Sequence, residues 1–122
     1  MNKNIIVTGG SGFIGSNLIN FLIKKKYSVI NLDKLSYSSN SYNTKNFIKN
    51  KKYKFIKCDI GNKKKIHKIL STYKPIALFN LAAETHVDRS IDSPRNFINS
   101  NIVSLFNLLE SVRKCNVLSK KF

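Results

Sequence analysis

The chain has 122 residues, of which 42% are hydrophobic, so it is long enough for one domain with a hydrophobic core. No apolar run approaches the ~20 residues that a membrane-spanning helix needs, which argues against a membrane protein. The formal net charge of +16 is typical of nucleic-acid-binding proteins. However, lysines occur in every segment alongside many Asn and Ile residues, so the sequence favours a general lysine-rich surface over a specific nucleic-acid site.

The two cysteines, Cys58 and Cys115, are not spaced as metal ligands. We expect both to be reduced and structural, and we predict no metal site. The N-terminus lacks a basic segment followed by an apolar segment and a cleavage site, so we expect a cytoplasmic protein.

Apolar runs and helical periodicity alternate along the chain. The apolar runs predict strands at residues 3–8, 27–32, 53–58 and 75–81. The helical patterns predict helices at residues 13–26, 44–50, 62–73 and 95–114. This order predicts an α/β fold, a Rossmann-type doubly wound parallel sheet truncated after the fourth strand and its helix. With the strand order 3-2-1-4, a ligand crevice is expected between the first and fourth strands.

Three of the predicted helices carry an apolar stripe. The stripe comprises Ile14, Leu18, Phe21 and Leu22 in the first helix, Ile66, Ile69, Leu70 and Tyr73 in the third, and Phe97, Ile98, Ile102, Leu105, Phe106 and Leu109 in the last. We expect the third helix to turn its stripe inward and to leave His67 on the surface.

A glycine-rich turn joins the first strand to the first helix. Gly9, Gly12 and Gly15 are spaced three apart, which is typical of a dinucleotide-binding turn between a strand and a helix. Gly9 permits the sharp turn, Gly12 leaves room for a pyrophosphate, and Gly15 lets the helix pack close to the strand. Free N–H groups at the helix N-terminus attract phosphates. The alternative is a glycine-rich turn that binds no ligand.

An acidic residue follows each of the next two strands. Asp33 lies where a dinucleotide-binding fold holds the adenosine ribose, and its carboxylate favours NAD over NADP because it repels a 2′-phosphate. Lys34 weakens this preference, since a cation could neutralise that phosphate. Asp59 and Ile60 end the third strand, where they would border the adenine. The alternative role of Asp33 is the cap of a helix or turn, and that of Asp59 is the N-cap of the following helix, which could coexist with a contact to the base.

Four segments together resemble the extended short-chain dehydrogenase/reductase superfamily and, within it, the dTDP-glucose 4,6-dehydratase family. They are Thr8-Gly9-Gly10-Ser11-Gly12-Phe13-Ile14-Gly15-Ser16-Asn17, Asn31-Leu32-Asp33-Lys34-Leu35-Ser36-Tyr37, Cys58-Asp59-Ile60 and Leu81-Ala82-Ala83-Glu84-Thr85-His86-Val87-Asp88-Arg89-Ser90-Ile91. The most specific parts are residues 86–90 and residues 33–35. The resemblance extends from Lys3 to about Arg113.

The resemblance implies a bound NAD and a nucleotide-linked glucose, dTDP-glucose, as the substrate of the parent protein. It places Phe13 and Ile14 at the pyrophosphate, residues 33–36 (Asp33, Lys34, Leu35, Ser36) around the ribose, and Asp59 and Ile60 at the adenine. It places Leu81, Ala82, Ala83, Glu84 and Thr85 beside the pyrophosphate and nicotinamide ribose, and Ser100 as a further cofactor contact. Thr85 and His86 would also contact the substrate, although His86 and Asp88 could instead hold the loop in shape.

The resemblance also implies catalytic groups that this sequence does not contain. Members of the family carry a Thr-Asp-Glu run and a Tyr-x-x-x-Lys pair beyond the fourth strand, and no Thr-Asp-Glu occurs here. The only Tyr-x-x-x-Lys is Tyr53 to Lys57, which we reject because residues four apart on a strand lie ~13 Å from each other. We therefore expect no catalytic residue in this chain. It reads as an N-terminal part that is inactive alone.

Other functions stay open at this point. The parent could be another NAD-dependent nucleotide-sugar dehydratase or an epimerase, although residues 86–90 argue against the epimerases. The chain could instead be a stand-alone basic module that binds nucleotides or nucleic acid. By the resemblance, the parent is a homodimer in which the last helix packs against a further helix. The isolated chain would then expose part of an apolar face and one sheet edge, so we expect weak independent folding.

Overall fold

The four predicted strands all form, and they pair in parallel in the order β3-β2-β1-β4. The computed structural model describes residues 3–35, 41–85 and 87–115. The strands are β1 Asn4–Thr8, β2 Ser28–Asp33, β3 Tyr53–Lys57 and β4 Ala77–Asn80. Ile6 of β1 lies opposite Ile30 of β2 and Leu78 of β4. The predicted α/β class and strand order are therefore confirmed.

The central strands are buried because helices cover both faces of the sheet. Side chains alternate along β1, so that Ile5 and Val7 pack on one face and Ile6 on the other. The Ile6 face carries helices α3 Lys63–Tyr73 and α6 Ser104–Cys115, and the Ile5 face carries α1 Phe13–Lys24. β1 and β2 are nearly continuous apolar runs since they meet apolar side chains on both faces.

The short second helix lies earlier than predicted. Helix α2 covers Ser41–Thr44, whereas we predicted residues 44–50, of which residues 45–49 instead form turns. Phe47 explains the difference, because it is buried and its ring packs edge-on against Tyr53 with centroids 4.8 Å apart. Anchoring this ring requires a chain reversal directly before β3.

The chain after β4 is more helical than the sequence indicated. Helix α4 Val87–Asp92 was not predicted, and it ends before Pro94, which disfavours a helical conformation in the preceding residue. Helix α5 Pro94–Ile98 then continues through a π-helical segment, Asn99–Val103, into α6, with helical backbone angles at both junctions. The predicted long helix is therefore one continuous rod from Pro94 to Cys115 that contains a π-helical insertion.

The predicted apolar stripe of α1 only partly coincides with the face that packs on the sheet, since Leu22 is buried and Leu18 packs against the same cluster. In α1, Ile14 and Phe21 are exposed, while Ile19 is buried together with Gly15 and Ser16. Small residues face the sheet there because the helix start lies very close to the turn. The third helix matches its prediction, since Ile66, Ile69 and Leu70 are buried, Tyr73 packs against the same cluster, and His67 is exposed.

The long helix shows the larger difference. Its sheet-facing side contributes Leu108 and Val112 to the core, while Ile102 and Phe106 of the predicted stripe are 58% and 59% exposed. The expectation that this helix exposes part of its apolar face is thus confirmed. In the described part of the chain, β3 and β4 are the two edges of the sheet, and no helix is long and apolar enough to cross a membrane.

Candidate cofactor site

The carboxyl ends of the strands open on a cavity of about 300 Å³ between β1 and β4, the position expected for a ligand crevice. Fourteen of the predicted site residues line it, namely Gly9, Gly12, Phe13, Ile14, Gly15, Asp33, Lys34, Asp59, Ile60, Leu81, Ala82, Ala83, Thr85 and Ser100. Residues from five separate segments, four after strands and one on the long helix, thus meet at one edge of the sheet.

Four predicted residues do not line this cavity or cannot be placed. Leu35 does not line it, although its backbone N–H contacts Asp33. Glu84 lines an adjoining cavity of about 430 Å³ that shares Lys34 and Ser100 with the first. Ser36 and His86 lie outside the described residues.

Three lining residues were not predicted: Leu32, Cys58 and Ser104. Leu32 and Cys58 directly precede the two aspartates, so the strand ends themselves could have indicated them. No sequence signal pointed to Ser104, because its position depends on how the long helix packs.

The glycine turn is as crowded as a dinucleotide-binding turn requires. Gly9 has φ +66°, and a Cβ there would lie 2.7 Å from the carbonyl oxygen of Leu81. A Cβ at Gly15 would collide with the carbonyl oxygen of Gly9. Gly12 differs, because its Cβ would meet only that same oxygen, at 3.4 Å, on the cavity wall. Two glycines therefore shape the turn, and the third keeps the cavity open.

The start of α1 is arranged to receive an anion. Over residues 12–24, all of which the structure describes, Gly12 provides no side-chain cap and the first turn holds no acidic residue. The first backbone N–H groups of a helix have no partner within that helix, and the dipole is positive at this end. The side chains of Phe13 and Ile14 are exposed at the cavity rim, 77% and 69% respectively. They place apolar cover beside these donors.

Asp33 is buried at the end of β2 and is held by backbone donors on two sides. Its Oδ2 accepts a hydrogen bond from the Ser11 N–H at 3.0 Å, and its Oδ1 accepts one from the Leu35 N–H at 2.7 Å. Leu35 itself has φ +58°, in the left-handed region of the backbone. Asp33 also lines the cavity, and a carboxylate offers about four acceptor positions in total.

Lys34 connects two walls of the cavity. Its Nζ donates a hydrogen bond to Ser100 Oγ at 3.2 Å and lies 3.6 Å from Glu84 Oε1. Asn101, next to Ser100 in the π-helical segment, makes two hydrogen bonds to the Glu84 backbone: it accepts from the N–H at 2.8 Å and donates to the C=O at 2.9 Å. The π-helical segment thus holds the chain after β4 in place, and such insertions often occur at functional sites.

At the far strand end, Asp59 belongs to a tight turn. Its Oδ1 accepts a hydrogen bond from the Gly61 N–H at 2.8 Å, and Asn62 caps α3 by accepting one from the Lys65 N–H at 3.1 Å. The helix N-cap that we considered for Asp59 is therefore Asn62 instead, and Asp59 stabilises the turn before it in addition to lining the cavity. Burial raises the pKa of the neighbouring Cys58 thiol above its ordinary value, although Lys65 opposes this shift.

The rejected Tyr-x-x-x-Lys pair lies on a strand, as expected. Tyr53 and Lys57 are the two ends of β3, and neither lines the cavity. Tyr53 instead accepts a hydrogen bond from Asn31 Nδ2 at 3.0 Å, beneath the glycine turn. Over the described residues, no cluster of His, Cys, Asp and Glu side chains could hold a metal ion.

The family model described as GDP-mannose 4,6 dehydratase matches residues 6–122, almost the whole chain. The chain belongs to this family. Its relatives include the dTDP-glucose 4,6-dehydratase of Neisseria gonorrhoeae, to which it is 45% identical over 112 residues. That alignment covers 91% of this chain and 32% of the relative. The resemblance to dTDP-glucose 4,6-dehydratases is therefore confirmed.

Solved structures of related enzymes share the fold. The dTDP-glucose 4,6-dehydratase DesIV of Streptomyces venezuelae, with NAD bound, matches at a TM-score of 0.86 and 31% identity, covering 93% of this chain and 36% of that one. The UDP-glucose 4-epimerase of Thermotoga maritima, with UDP-glucose, matches at 0.81 and 36% identity, covering 92% and 34%. The 122-residue chain spans about a third of the length of the proteins it matches.

Proposed function

We propose that the cavity binds NAD and that residues 1–122 form the cofactor-binding part of a dTDP-glucose 4,6-dehydratase. The observation that carries this proposal is the meeting of the glycine turn and Asp33 in one cavity at the switch point of the sheet. A phosphate site without a ribose acceptor would suit many anions. The two together suit a dinucleotide.

The residues present fit NAD in shape and in chemistry. The open wall at Gly12 and the uncapped start of α1 would hold the pyrophosphate, and Asp33 would accept hydrogen bonds from the ribose hydroxyls. Asp59 and Ile60 would border the adenine, and Leu81 to Thr85 would lie beside the nicotinamide half. Ser36 and His86 keep the cofactor and substrate roles that the resemblance implies.

In such an enzyme, NAD held by these residues would supply the hydride acceptor and donor for the redox changes at C4 and C6 of the nucleotide-linked glucose that accompany the loss of water. The residues of this chain orient the cofactor and shield it, and Thr85 would contact the hexose. We assign no acid, base or nucleophile within residues 1–122. We therefore propose that this part is inactive alone and that dehydration of dTDP-glucose belongs to a longer protein.

An epimerase parent is the second candidate, because the Thermotoga maritima epimerase shares the fold at 36% identity. We favour the dehydratase since residues 86–90 carry the dehydratase pattern. A basic module that binds polyanions is the third candidate, supported by the charge of +16. Its binding would weaken steeply with salt, whereas binding of NAD in a shaped cavity would not.

The test is a calorimetric titration of the 122-residue chain with NAD and with NADP, each at low and at high salt. We expect saturable binding of NAD that changes little with salt and exceeds the binding of NADP. Binding of DNA that disappears at high salt, together with no binding of NAD by the folded chain, would overturn the proposal.

The variant Asp33→Asn tests the ribose contact within that experiment. An amide has only one acceptor oxygen, whereas the carboxylate has two. We therefore expect NAD affinity to fall about ten-fold, in line with the loss of a hydrogen bond to a charged group. NADP affinity should fall less or rise, because the repulsive charge is gone. Glu110→Gln is the matched control, since it removes a carboxylate that pairs with Arg113 outside the cavity. An equal loss in both variants would contradict the assignment of Asp33.

We further propose that the parent protein is a homodimer that covers the exposed apolar face of the long helix. This face comprises Ile98, Ile102, Phe106 and Leu109, each at least half exposed. Exposed apolar residues in a continuous stripe are typical of an interaction surface.

A further inference from the structure

Ser104 lines the cavity but belongs neither to the glycine turn nor to the aspartates at the strand ends, so the proposed function gives it no role. It begins α6, is half-buried, and lines the cavity together with Asp59 and Ile60. It also lines the adjoining cavity. Its side chain is therefore presented to whatever occupies the end of the site near β3.

The hydroxyl of Ser104 lies against the turn after β3. A Cβ built on Gly61 would lie 2.8 Å from Ser104 Oγ and 3.2 Å from Asp59 Oδ1, so both oxygens flank the same backbone position. Three residues further along α6, Asn107 Nδ2 donates a hydrogen bond to the Gly61 C=O at 3.3 Å. This bond holds the helix against the turn, and the absence of a side chain at Gly61 leaves room for the close contact.

Both polar groups retain unused hydrogen-bonding capacity. Asp59 Oδ1 accepts from the Gly61 N–H, which leaves Oδ2 available. Ser104 Oγ makes no hydrogen bond to any residue within 3–35, 41–85 and 87–115. A half-buried hydroxyl with no partner among these residues, facing the same glycine as a carboxylate, is suited to a ligand group that both donates and accepts.

We infer that Ser104 recognises the base of the bound dinucleotide and, with Asp59, selects adenine. This inference rests on the proposed function and adds to it a residue that determines base specificity. The amino group of adenine is a donor that lies next to ring-nitrogen acceptors. The Asp59 carboxylate accepts from the amino group, and the Ser104 hydroxyl donates to a ring nitrogen. Hypoxanthine has a carbonyl in place of that amino group, which the carboxylate repels.

The experiment compares NAD with nicotinamide hypoxanthine dinucleotide, using the chain itself and the variant Ser104→Ala. We expect the chain to prefer NAD, and the variant to bind NAD about three- to ten-fold more weakly, as for one lost neutral hydrogen bond. The variant should lose part of the preference for adenine over hypoxanthine. Ser104→Gly, which also lacks the hydroxyl, should show the same loss.

Ser111→Ala is the matched control, because Ser111 lies on the same helix and its hydroxyl donates to the Asn107 C=O outside the cavity. It should bind both dinucleotides as the unchanged chain does. If the unchanged chain binds NAD and Ser104→Ala keeps the same affinity and base preference, the inference about Ser104 is overturned while the proposed function stands. If the folded chain binds neither dinucleotide, both are overturned.

Discussion

Gly12 and Gly15 lie three residues apart in one turn, yet they meet different surroundings. A Cβ at Gly15 would lie 2.7 Å from Gly10 Cα and would also collide with the Gly9 carbonyl, so the turn itself has no room for it. A Cβ at Gly12 would enter the cavity with only one protein atom nearby. Within one motif, Gly15 is thus needed for the packing of the turn, whereas Gly12 is needed for space in the cavity.

Substituting each glycine by alanine should separate the two effects. Gly15→Ala should lower the free energy of unfolding by about 1–3 kcal/mol through overpacking. Gly12→Ala should cost about 1 kcal/mol at most, the difference between the two residues as helix caps, but should weaken NAD binding at least about ten-fold. Urea unfolding and NAD titration of both variants measure this. Normal NAD binding by Gly12→Ala would show that no ligand approaches that wall.

Tyr53 connects the sheet edge to the buried layer below the glycine turn. Burial raises the pKa of Tyr53 above its ordinary value of 10.0, the hydrogen bond from Asn31 opposes this, and the charge of Asp33 adds to it. The folded state therefore retains the phenolic proton more strongly than the unfolded state. The stability linked to this group is complete below about pH 10 and is lost as the pH rises through the folded-state pKa.

This linkage predicts that the free energy of unfolding falls more steeply above about pH 10 in the unchanged chain than in Tyr53→Phe. Urea unfolding at several alkaline pH values measures the slope. The comparison is best made in a Cys58→Ala background, because the pKa of the Cys58 thiol is also raised by burial and titrates in a nearby range. Identical slopes in the two chains would refute the role of Tyr53.

At the scale of elements, the long helix has two faces with different roles. Its sheet-facing side carries Ser104, Leu108 and Val112, which reach the cavity and the core. Its outer side carries the apolar stripe that includes Ile102 and Phe106. The π-helical segment between α5 and α6 presents Ser100 and Asn101 to the site.

The exposed apolar stripe on the outer side of the long helix predicts that the chain associates with itself. Sedimentation velocity over a range of protein concentrations should reveal dimers of the unchanged chain. Phe106→Glu should remove them, because a charge in the middle of an apolar interface is left unpaired. Phe21→Glu is the control, since Phe21 is an equally exposed phenylalanine on α1. Dimers that persist in Phe106→Glu, or that vanish in both variants, would contradict this interface.

At the scale of the whole molecule, basic residues greatly outnumber acidic ones. Only Asp33 and Asp59 among the six acidic residues precede Lys74, and both lie on the cavity wall. Helices α1 and α3 and strand β3 therefore contain lysines and no acidic residue. Mutual repulsion among like charges destabilises a compact state, and salt screens it.

Raising the NaCl concentration from about 10 mM to about 100 mM shortens the screening length from about 30 Å to about 10 Å. We therefore expect the thermal midpoint to rise by a few degrees. Lys68→Glu, on the exposed side of α3, should raise the midpoint at low salt and have less effect at high salt. Scanning calorimetry at both salt concentrations measures this. A midpoint that falls with salt would contradict the role of repulsion.

The strands, their order, the glycine turn and the aspartates at the strand ends could be predicted from the sequence, because these features depend on local pattern. Phe13, Ile14 and Ser100 were predicted only from the family resemblance. β1 and β2 are short apolar runs, the glycines mark a turn by spacing alone, and Asp33 follows a strand directly. Parallel strands joined by helices admit few topologies, so the four runs also determined which strand ends meet at the cavity.

The tertiary structure decided which side of each helix faces the core. Ile14 and Phe106 satisfy a helical stripe yet lie in solvent, whereas Gly15 and Ser104 face the sheet. Periodicity identifies an apolar face but not what covers it, and a π-helical insertion changes the angular phase of the residues that follow. The place of Ser104 beside Asp59 depends on packing between segments more than forty residues apart, and no local pattern records such a contact.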